Sequence, residues 1–242
     1  MIYIEQPAFL PWLGFCESLL VCDTVVLYDD VQYEDGGWQN RNKIKTKAGV
    51  QWLTVPVAKQ HGQRIDQARI APAFAPDTLL RTLAMAYSRT PFYAETMAAI
   101  TPVLEAGHQL LADLNADLLT RIRDALGATS RLLRSSTMPL PASGRIERIV
   151  AVCESAGEST LWAGSGTRSY LDAAAVGAAG IRVLWNEYYP RHPVYPQTWP
   201  RQPFTPALSV ADAACNLGWA GLRTLLTDGF TAYQSELNGV PV

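Results

Sequence analysis

Three absences in the sequence narrow the classes of protein to which it can belong. The 242 residues carry a formal net charge of -2, so no overall positive charge favours nucleic acid as a partner. No apolar run approaches the roughly 18 residues that a membrane span requires, and no signal-peptide pattern is found. The four cysteines show no C-x-x-C spacing. We therefore expect a cytoplasmic protein with reduced thiols that acts on a small molecule.

The segment before residue 33 is typical of a β-α-β unit. A β-branched run at residues 2–4 precedes two prolines, a mostly apolar helix begins at Leu13, and the continuous apolar run 25–28 follows, as in a buried parallel strand. Because ligands of open α/β sheets lie beyond the carboxyl ends of the strands, we expect one rim of substrate-binding and catalytic side chains. These are Gln6, Trp12, Asp29, Asp30 and Gln32.

Six consecutive residues, 38–43, bring an indole, three amides and two cations together. Taken alone, the run is equally typical of a polar hairpin turn with an aromatic anchor. Its place just after two adjacent carboxylates, which need cations or a metal nearby, favours a substrate-binding segment instead. The predicted binding residues are Trp38, Gln39, Asn40, Arg41, Asn42 and Lys43.

Four motifs occur in order between residues 6 and 57: QPAFLPWLGF, VVLYDDVQY, WQNRNKIK and QWLTVPV. Together they resemble the WbqC-like protein family, and the similarity continues at LWAGSGTRSYLD, HPVYPQ and ALSVADAACNLG. The family is found in gene sets for O-antigen and other specialised sugars or secondary metabolites, so the resemblance implies a biosynthetic context rather than a reaction. Glu5 departs from the pattern, since many relatives are expected to carry histidine there.

The opening also resembles that of nucleotidylyltransferases and pantothenate synthetases, which place His-x-Gly-His at the elbow between the first strand and the first helix. Trp12 and Phe15 stand in the place of the two histidines. The resemblance therefore implies a similar Rossmann-like fold without phosphate stabilisation of that kind.

The element order predicts a single α/β domain over residues 1–242. The run 50–57 is expected to pair with 43–46 as a β-hairpin, and residues 76–127 to form a three-helix insertion. Strands at 131–140, 161–163 and 181–185 alternate with helices at 145–156 and 169–179. This order predicts an open, largely parallel three-layer sheet.

A glycine-rich turn is predicted to extend the binding rim. Gly164, Ser165 and Gly166 precede the predicted helix at 169–179, whose first N–H groups would receive an anion. Tight turns also need such glycines for purely structural reasons.

Residues 186–206 are rich in proline and aromatic side chains, and we expect them to form an ordered loop. His192 is the predicted catalytic base in this loop, and Tyr195 and Gln197 are predicted to bind substrate. A packed histidine bonded to the backbone fits the same pattern equally well.

Cys215 is a possible nucleophile, with His192 as its base, because thiolate attack would form a covalent thioester. Its apolar neighbours and its place near a helix C terminus, which raises a thiol pKa, favour a buried structural cysteine. Glu5, Asp29, Asp30 and His192 offer ligands for a hard divalent cation, but no metal is predicted and the cofactor stays unassigned.

The predicted activity is acyl or aminoacyl transfer to an amine of a small polar substrate, such as a nucleotide-linked sugar, from a carrier-bound donor. Asp29, Asp30 or His192 would accept the amine proton, while Arg41 and Lys43 would hold a carboxylate or phosphate. Nucleic acid enters only if a tRNA carries the donor. Two alternatives stay open: a cyclase or hydrolase using Cys215 or an aspartate, and a non-catalytic small-molecule binding protein.

Overall fold

The fold is a parallel sheet with helices on both faces and a separate hairpin. This computed structural model describes residues 1–142 and 144–239, with side chains up to residue 235. The strands are β1 (Ile2–Glu5), β2 (Thr24–Leu27), β3 (Arg41–Thr46), β4 (Gly49–Thr54), β5 (Arg131–Arg134), β6 (Thr160–Gly164) and β7 (Arg182–Asn186). The helices are α1 (Leu13–Val21), α2 (Pro76–Tyr87), α3 (Tyr93–Leu104), α4 (Leu111–Ala125), α5 (Arg145–Ala156), α6 (Ala173–Ala178) and α7 (Val210–Gly239).

The sheet has the order β5-β2-β1-β6-β7, and every neighbouring pair is parallel. β1 lies at its centre, with Ile2 beside Thr24 of β2 and Leu161 of β6. The predicted α/β fold with an open, largely parallel sheet is confirmed. It follows from local sequence, because β-branched strands alternate with amphipathic helices along the chain.

Each face of the sheet has its own hydrophobic core. Tyr3 and Val25 point toward the face covered by α1, α4 and α7. Ile2 and Val26, their neighbours in sequence, point toward α5 and α6. This alternation follows from the two-residue period of a strand, and it leaves the strand ends as the place where polar groups can gather.

The predicted hairpin forms, with Arg41 opposite Thr54 and Thr46 opposite Gly49. The three predicted helices between it and β5 also form, and the middle one, α3, packs against α2, α4 and α7. The predicted strand at 131–140 is too long, because β5 ends at Arg134 and a 3-10 turn, Ser135–Thr137, follows. Whether residues 76–127 are an insertion, and whether residues 1–242 are one domain, stays a prediction; residue 143 and residues 240–242 lie outside the described part.

α7 consists of two helical segments separated at Gly218, which has φ 70° and ψ 166°. A side chain on this residue would also meet the ring of Phe92, since a Cβ would lie 2.8 Å from it. Only glycine adopts this backbone conformation without strain, so Gly218 sets the direction of the second segment.

Candidate functional site

The strand order creates a topological switch point between β1 and β6. The chain leaves β1 toward β2 and β5 on one side, and later adds β6 and β7 on the other. In open α/β sheets the crevice beyond the carboxyl ends of such strands binds ligands. Two cavities lie at this crevice, and Glu5, Gln6 and Glu34 line both of them.

The first cavity, which we call the sheet cavity, has a volume of about 420 Å³. Ile4 of β1 and Leu161 and Ala163 of β6 form an apolar floor. The remaining walls come from the loop after β2, from α5 and from the turn after β6. Their lining residues include Tyr28, Val31, Gln32, Arg145, Ile149, Gly164, Thr167, Tyr170 and Leu171.

The second cavity, which we call the elbow cavity, has a volume of about 390 Å³ and lies between the β1–α1 elbow and the segment before β3. Trp12 forms one wall and packs edge-on against Tyr188, with ring centres 5.3 Å apart. Its ring crosses Gly14, where a Cβ would come within 2.6 Å of it. Because Gly14 of the WLGF motif has no side chain, the indole of Trp12 can pack directly against its backbone.

Glu5 is the carboxylate at the junction of the two cavities. It accepts hydrogen bonds from the backbone N–H of Gln6 at 3.0 Å and from the hydroxyl of Tyr3 at 3.2 Å. Burial raises the pKa of Glu5, while these two hydrogen bonds lower it. Among the side chains that the structure describes, no cation pairs with it. Glu5 is therefore a carboxyl suited to proton transfer, because its pKa is shifted toward neutral pH.

Asp29 and Asp30 are held by arginines rather than turned into the cavities. Arg134 pairs with the fully buried Asp29, and Arg148 pairs with Asp30. The backbone N–H of Ser136 also donates to Asp29 at 2.9 Å. Burial raises the pKa of Asp30, but hydrogen bonds from a serine and Arg148 lower it more. Neither aspartate lines the two cavities, whereas Gln6 and Gln32 do, and a catalytic role for either aspartate stays a prediction.

His192 is bonded to the backbone through both ring nitrogens. Its Nδ1 lies 2.9 Å from the carbonyl of Pro193, and the N–H of Ala207 donates to Nε2 at 3.2 Å. Burial lowers the pKa of His192. This arrangement matches the packed histidine that the sequence also allowed, and it connects the loop 186–206 to Ala207, the residue that follows it.

Cys215 lies buried in the first segment of α7. Burial raises the pKa of its thiol to about 12, although the hydroxyls of Thr90 and Thr96 oppose this shift. A thiol of that pKa is almost entirely protonated at neutral pH, so the geometry does not favour a nucleophile here.

The six residues of the polar run separate into two groups. Gln39 and Asn42 line the elbow cavity together with Trp38. Asn40 instead donates to the carbonyl of Val55 at 2.9 Å, and it secures the start of the hairpin. The oxygen Oε1 of Gln39 is buried and has no hydrogen-bond partner within the described residues, while its amide nitrogen donates to Gln6.

Arg41 and Lys43 line neither cavity and are half-buried on the face of the hairpin that carries Trp52. The guanidinium of Arg41 lies 4.2 Å from the ring centre of Trp52. The ammonium of Lys43 lies 5.1 Å from the same ring and 5.6 Å from that of Trp38. Since Trp38 also lines the elbow cavity, this aromatic and cationic face continues that cavity outward.

The glycine-rich turn contributes less than its motif suggested. Gly164 lines the sheet cavity, but Ser165 and Gly166 begin a 3-10 turn, Ser165–Ser169, and not a helix. The predicted helix start at Ser169 is wrong, because α6 begins at Ala173 and the side chain of Asp172 already accepts its first free N–H groups. The N terminus of α6 is therefore already capped.

Tyr195 and Gln197, predicted to bind substrate, point into the protein. Tyr195 donates to the buried carboxylate of Asp212 at 2.9 Å, and Gln197 accepts from the buried ammonium of Lys45 at 3.0 Å. Their contacts attach the loop 186–206 to β3 and α7.

Two side chains that line the sheet cavity were not predicted from the sequence. Arg145 and Tyr170 lie 25 residues apart, and the guanidinium is 4.7 Å from the centre of the tyrosine ring. Arg145 lies outside the family motifs, and Tyr170 lies in the LWAGSGTRSYLD motif but was not predicted to bind a ligand. The available signal was topological: α5 precedes β6, so its first turn had to lie beside the carboxyl end of β1.

The comparisons with known proteins agree with the motifs at this crevice. The model of the WbqC-like protein family matches residues 6–224. This chain belongs to the WbqC-like protein family. Its relatives include an uncharacterized protein of Mycobacterium tuberculosis, Rv1507c, which is 34% identical over 220 residues, covering 90% of this chain and 94% of the relative. No solved structure matches the chain significantly.

In this WbqC-like protein, the described residues contain no group of three or more histidine, cysteine, aspartate or glutamate side chains arranged to hold a metal ion. No described helix is long and apolar enough to cross a membrane.

Proposed function

We propose that this WbqC-like protein transfers an acyl or aminoacyl group to an amine of a small polar substrate in sugar or secondary-metabolite biosynthesis. The observation that carries the proposal is the meeting of the two cavities at Glu5 and Gln6. A transferase must hold two reactants side by side, with a proton acceptor at their junction. Adjoining cavities with a shared carboxylate supply that arrangement.

The proposed step places the amine in the sheet cavity and the activated acyl group at the junction. The amine nitrogen attacks the carbonyl carbon and forms the new C–N bond. Glu5 takes the proton from nitrogen, and the bond to the donor's leaving group breaks, so that group departs with the electron pair. A carboxyl whose pKa burial has raised is a better proton acceptor than an ordinary glutamate.

The donor approaches through the elbow cavity. Trp12 and Trp38 offer ring faces for a planar group, and the unsatisfied Oε1 of Gln39 offers an acceptor for an N–H of the donor. Arg41 and Lys43, beyond Trp38, would bind a phosphate or carboxylate on the part of the donor that extends outside.

Glu5 takes the role that the sequence suggested for Asp29, Asp30 or His192. The two aspartates are neutralised by arginines, and both nitrogens of the histidine are bonded to the backbone. By contrast, Glu5 faces both cavities, and the described residues leave it without a cation. Glu5, which stands where a histidine is expected in many relatives, is therefore the proposed proton acceptor.

The test is product formation from defined donors and acceptors. Acyl-CoAs and aminoacyl-tRNAs would be incubated with amino-bearing nucleotide sugars, and amide products measured by mass spectrometry. We expect Glu5→Gln to slow amide formation by about 10²–10⁴-fold, the usual contribution of a general base. Asp35→Asn, on the nearby surface, should leave the rate unchanged.

Equal rates in the parent protein and Glu5→Gln would overturn the assignment of Glu5. Binding of donors and acceptors without any product would overturn group transfer, and it would support the non-catalytic binding protein.

A further inference from the structure

We infer that the sheet cavity takes a zwitterion: an amine that also carries a carboxylate or a phosphate, with Arg145 binding the anionic group. The assignment of this ligand as the acceptor rests on the proposed function. Its charge pattern rests on the cavity alone, which carries positive and negative side chains on different walls.

Arg145 supplies the positive side of the cavity. It is the first residue of α5 and is exposed, and its guanidinium lies over the ring of Tyr170 at 4.7 Å. None of the ion pairs within the described residues includes Arg145. Stacking fixes the plane of the guanidinium while leaving its N–H groups available, which is the arrangement that binds a carboxylate or phosphate.

Glu5 and Glu34 supply the negative side. Both line the sheet cavity, and neither belongs to an ion pair of the described chain. An ammonium group beside them would offset the free-energy cost of burying the charged carboxylate of Glu5. The same group becomes the reacting amine after it loses one proton to water, and Glu5 then takes the second proton as the C–N bond forms.

The charges of Glu5 and Arg145 both act on the pKa of Tyr170. Its pKa is raised first by burial and then by the negative charge of Glu5, while Arg145 opposes the shift. Arg145 and Glu5 nevertheless form no ion pair with each other. A ligand with opposite charges at its two ends neutralises both poles, and the apolar floor of Ile4, Leu161 and Ala163 accepts the carbon chain between them.

The charge pattern can be tested by calorimetric titration without a reaction. The zwitterionic probes are γ-aminobutyrate and aminoethyl phosphate, and the single-charge probes are butylamine and butyrate. We expect both zwitterions to bind at least about tenfold more tightly than either single-charge probe, since a second charged contact of about 1.4 kcal/mol corresponds to tenfold. The tighter of the two zwitterions identifies carboxylate or phosphate as the anionic group.

Arg145→Met should weaken the binding of both zwitterions about tenfold and leave the binding of butylamine unchanged. The control is Arg182→Met, at an exposed position of β7 outside both cavities, which should change neither affinity. Zwitterions that bind no better than butylamine, that do not bind at all, or that ignore Arg145→Met would overturn the inference. Glu5-dependent transfer to amines without an anionic group would overturn it while leaving the proposed function intact. Arg145-dependent binding of zwitterions with no transfer from any donor would support the inference and overturn the proposed function.

Discussion

Asp29 and Arg134 form an ion pair that joins the carboxyl ends of β2 and β5, and the aspartate side chain is only 1% exposed. The arginine also binds Asp113 of α4 through its second nitrogen at 2.6 Å. This contact explains why two adjacent carboxylates can end a buried strand. They attach neighbouring elements to the sheet and do not face the cavities.

We therefore expect Asp29→Asn to lower the free energy of unfolding by about 3 kcal/mol, because it removes the buried member of the two carboxylates that pair with Arg134. Urea denaturation followed by circular dichroism measures the change. Asp35→Asn makes the same chemical change at an exposed carboxylate paired with Lys59, and it should have no measurable effect. Equal stability of the two variants would show that the pair is not structural.

Glu5→Gln should be more stable than the parent protein at pH 7.5. Because the folded pKa of Glu5 is raised, the folded protein holds this proton more tightly than the unfolded chain. Its contribution is favourable at low pH and is lost as pH rises through the folded pKa. Glutamine avoids that loss, so we expect a gain on the order of 1 kcal/mol at pH 7.5 that shrinks toward pH 4.5. A gain that does not depend on pH would argue against a raised pKa.

Substitution of His192 should change how stability depends on pH. Burial lowers the folded pKa of this histidine below its ordinary value of 6.5, so the unfolded chain binds the proton more readily. The parent protein should therefore lose stability relative to His192→Gln as pH falls from about 7.5 to 5.5. His61→Gln, at an exposed position, is the control. Parallel pH profiles for His192→Gln and the parent protein would contradict the prediction.

Gly218→Ala and Gly229→Ala should have opposite effects on α7. Alanine at 218 must adopt a φ of 70° and would meet Phe92, so we expect a loss of about 1–3 kcal/mol. Gly229 is exposed, has ordinary helical φ and has open space around its Cβ position, so alanine there should add about 0.5–1 kcal/mol. Thermal unfolding compares the two, and two losses of similar size would show that the break in α7 is not required.

The four cysteines should resist thiol reagents until the protein unfolds. All four are buried, and burial raises the pKa of Cys153 and Cys215 to about 12. We expect no reaction with a chromogenic disulfide reagent in the native state and four equivalents in denaturant. Fast labelling of Cys215 in the native protein would revive the cyclase or hydrolase alternative.

Much of the fold could be predicted from the sequence because its signals are local. The apolar run after Thr24, the break at Pro11 and the helical stripe of α4 each determine an element within a few residues. The predictions were wrong where a contact with a distant segment determines where an element ends. β5 ends early because Ser135 and Ser136 turn back to bind Asp29, about 106 residues away in sequence.

The site was predicted only in part, because residue type does not reveal orientation. Gln6, Trp12 and Trp38 were expected to line a binding site, and they do line the cavities. Tyr195 and Gln197 carry equally suitable side chains, but they bind Asp212 and Lys45 inside the protein. Whether these residues bind substrate stays a prediction.

The sequence by itself determined the family and the parallel sheet, since each depends on contiguous motifs or on the order of elements along the chain. It also predicted the end of β1 as the place where ligands bind. Only the tertiary structure decided which carboxylates are free. Asp29 and Asp30 met arginines from β5 and α5, whereas Glu5 met none among the described residues. The chemical role of a charged side chain depends on the charges within a few ångströms of it. Those neighbouring charges come from segments that are distant in sequence and meet only when the chain folds.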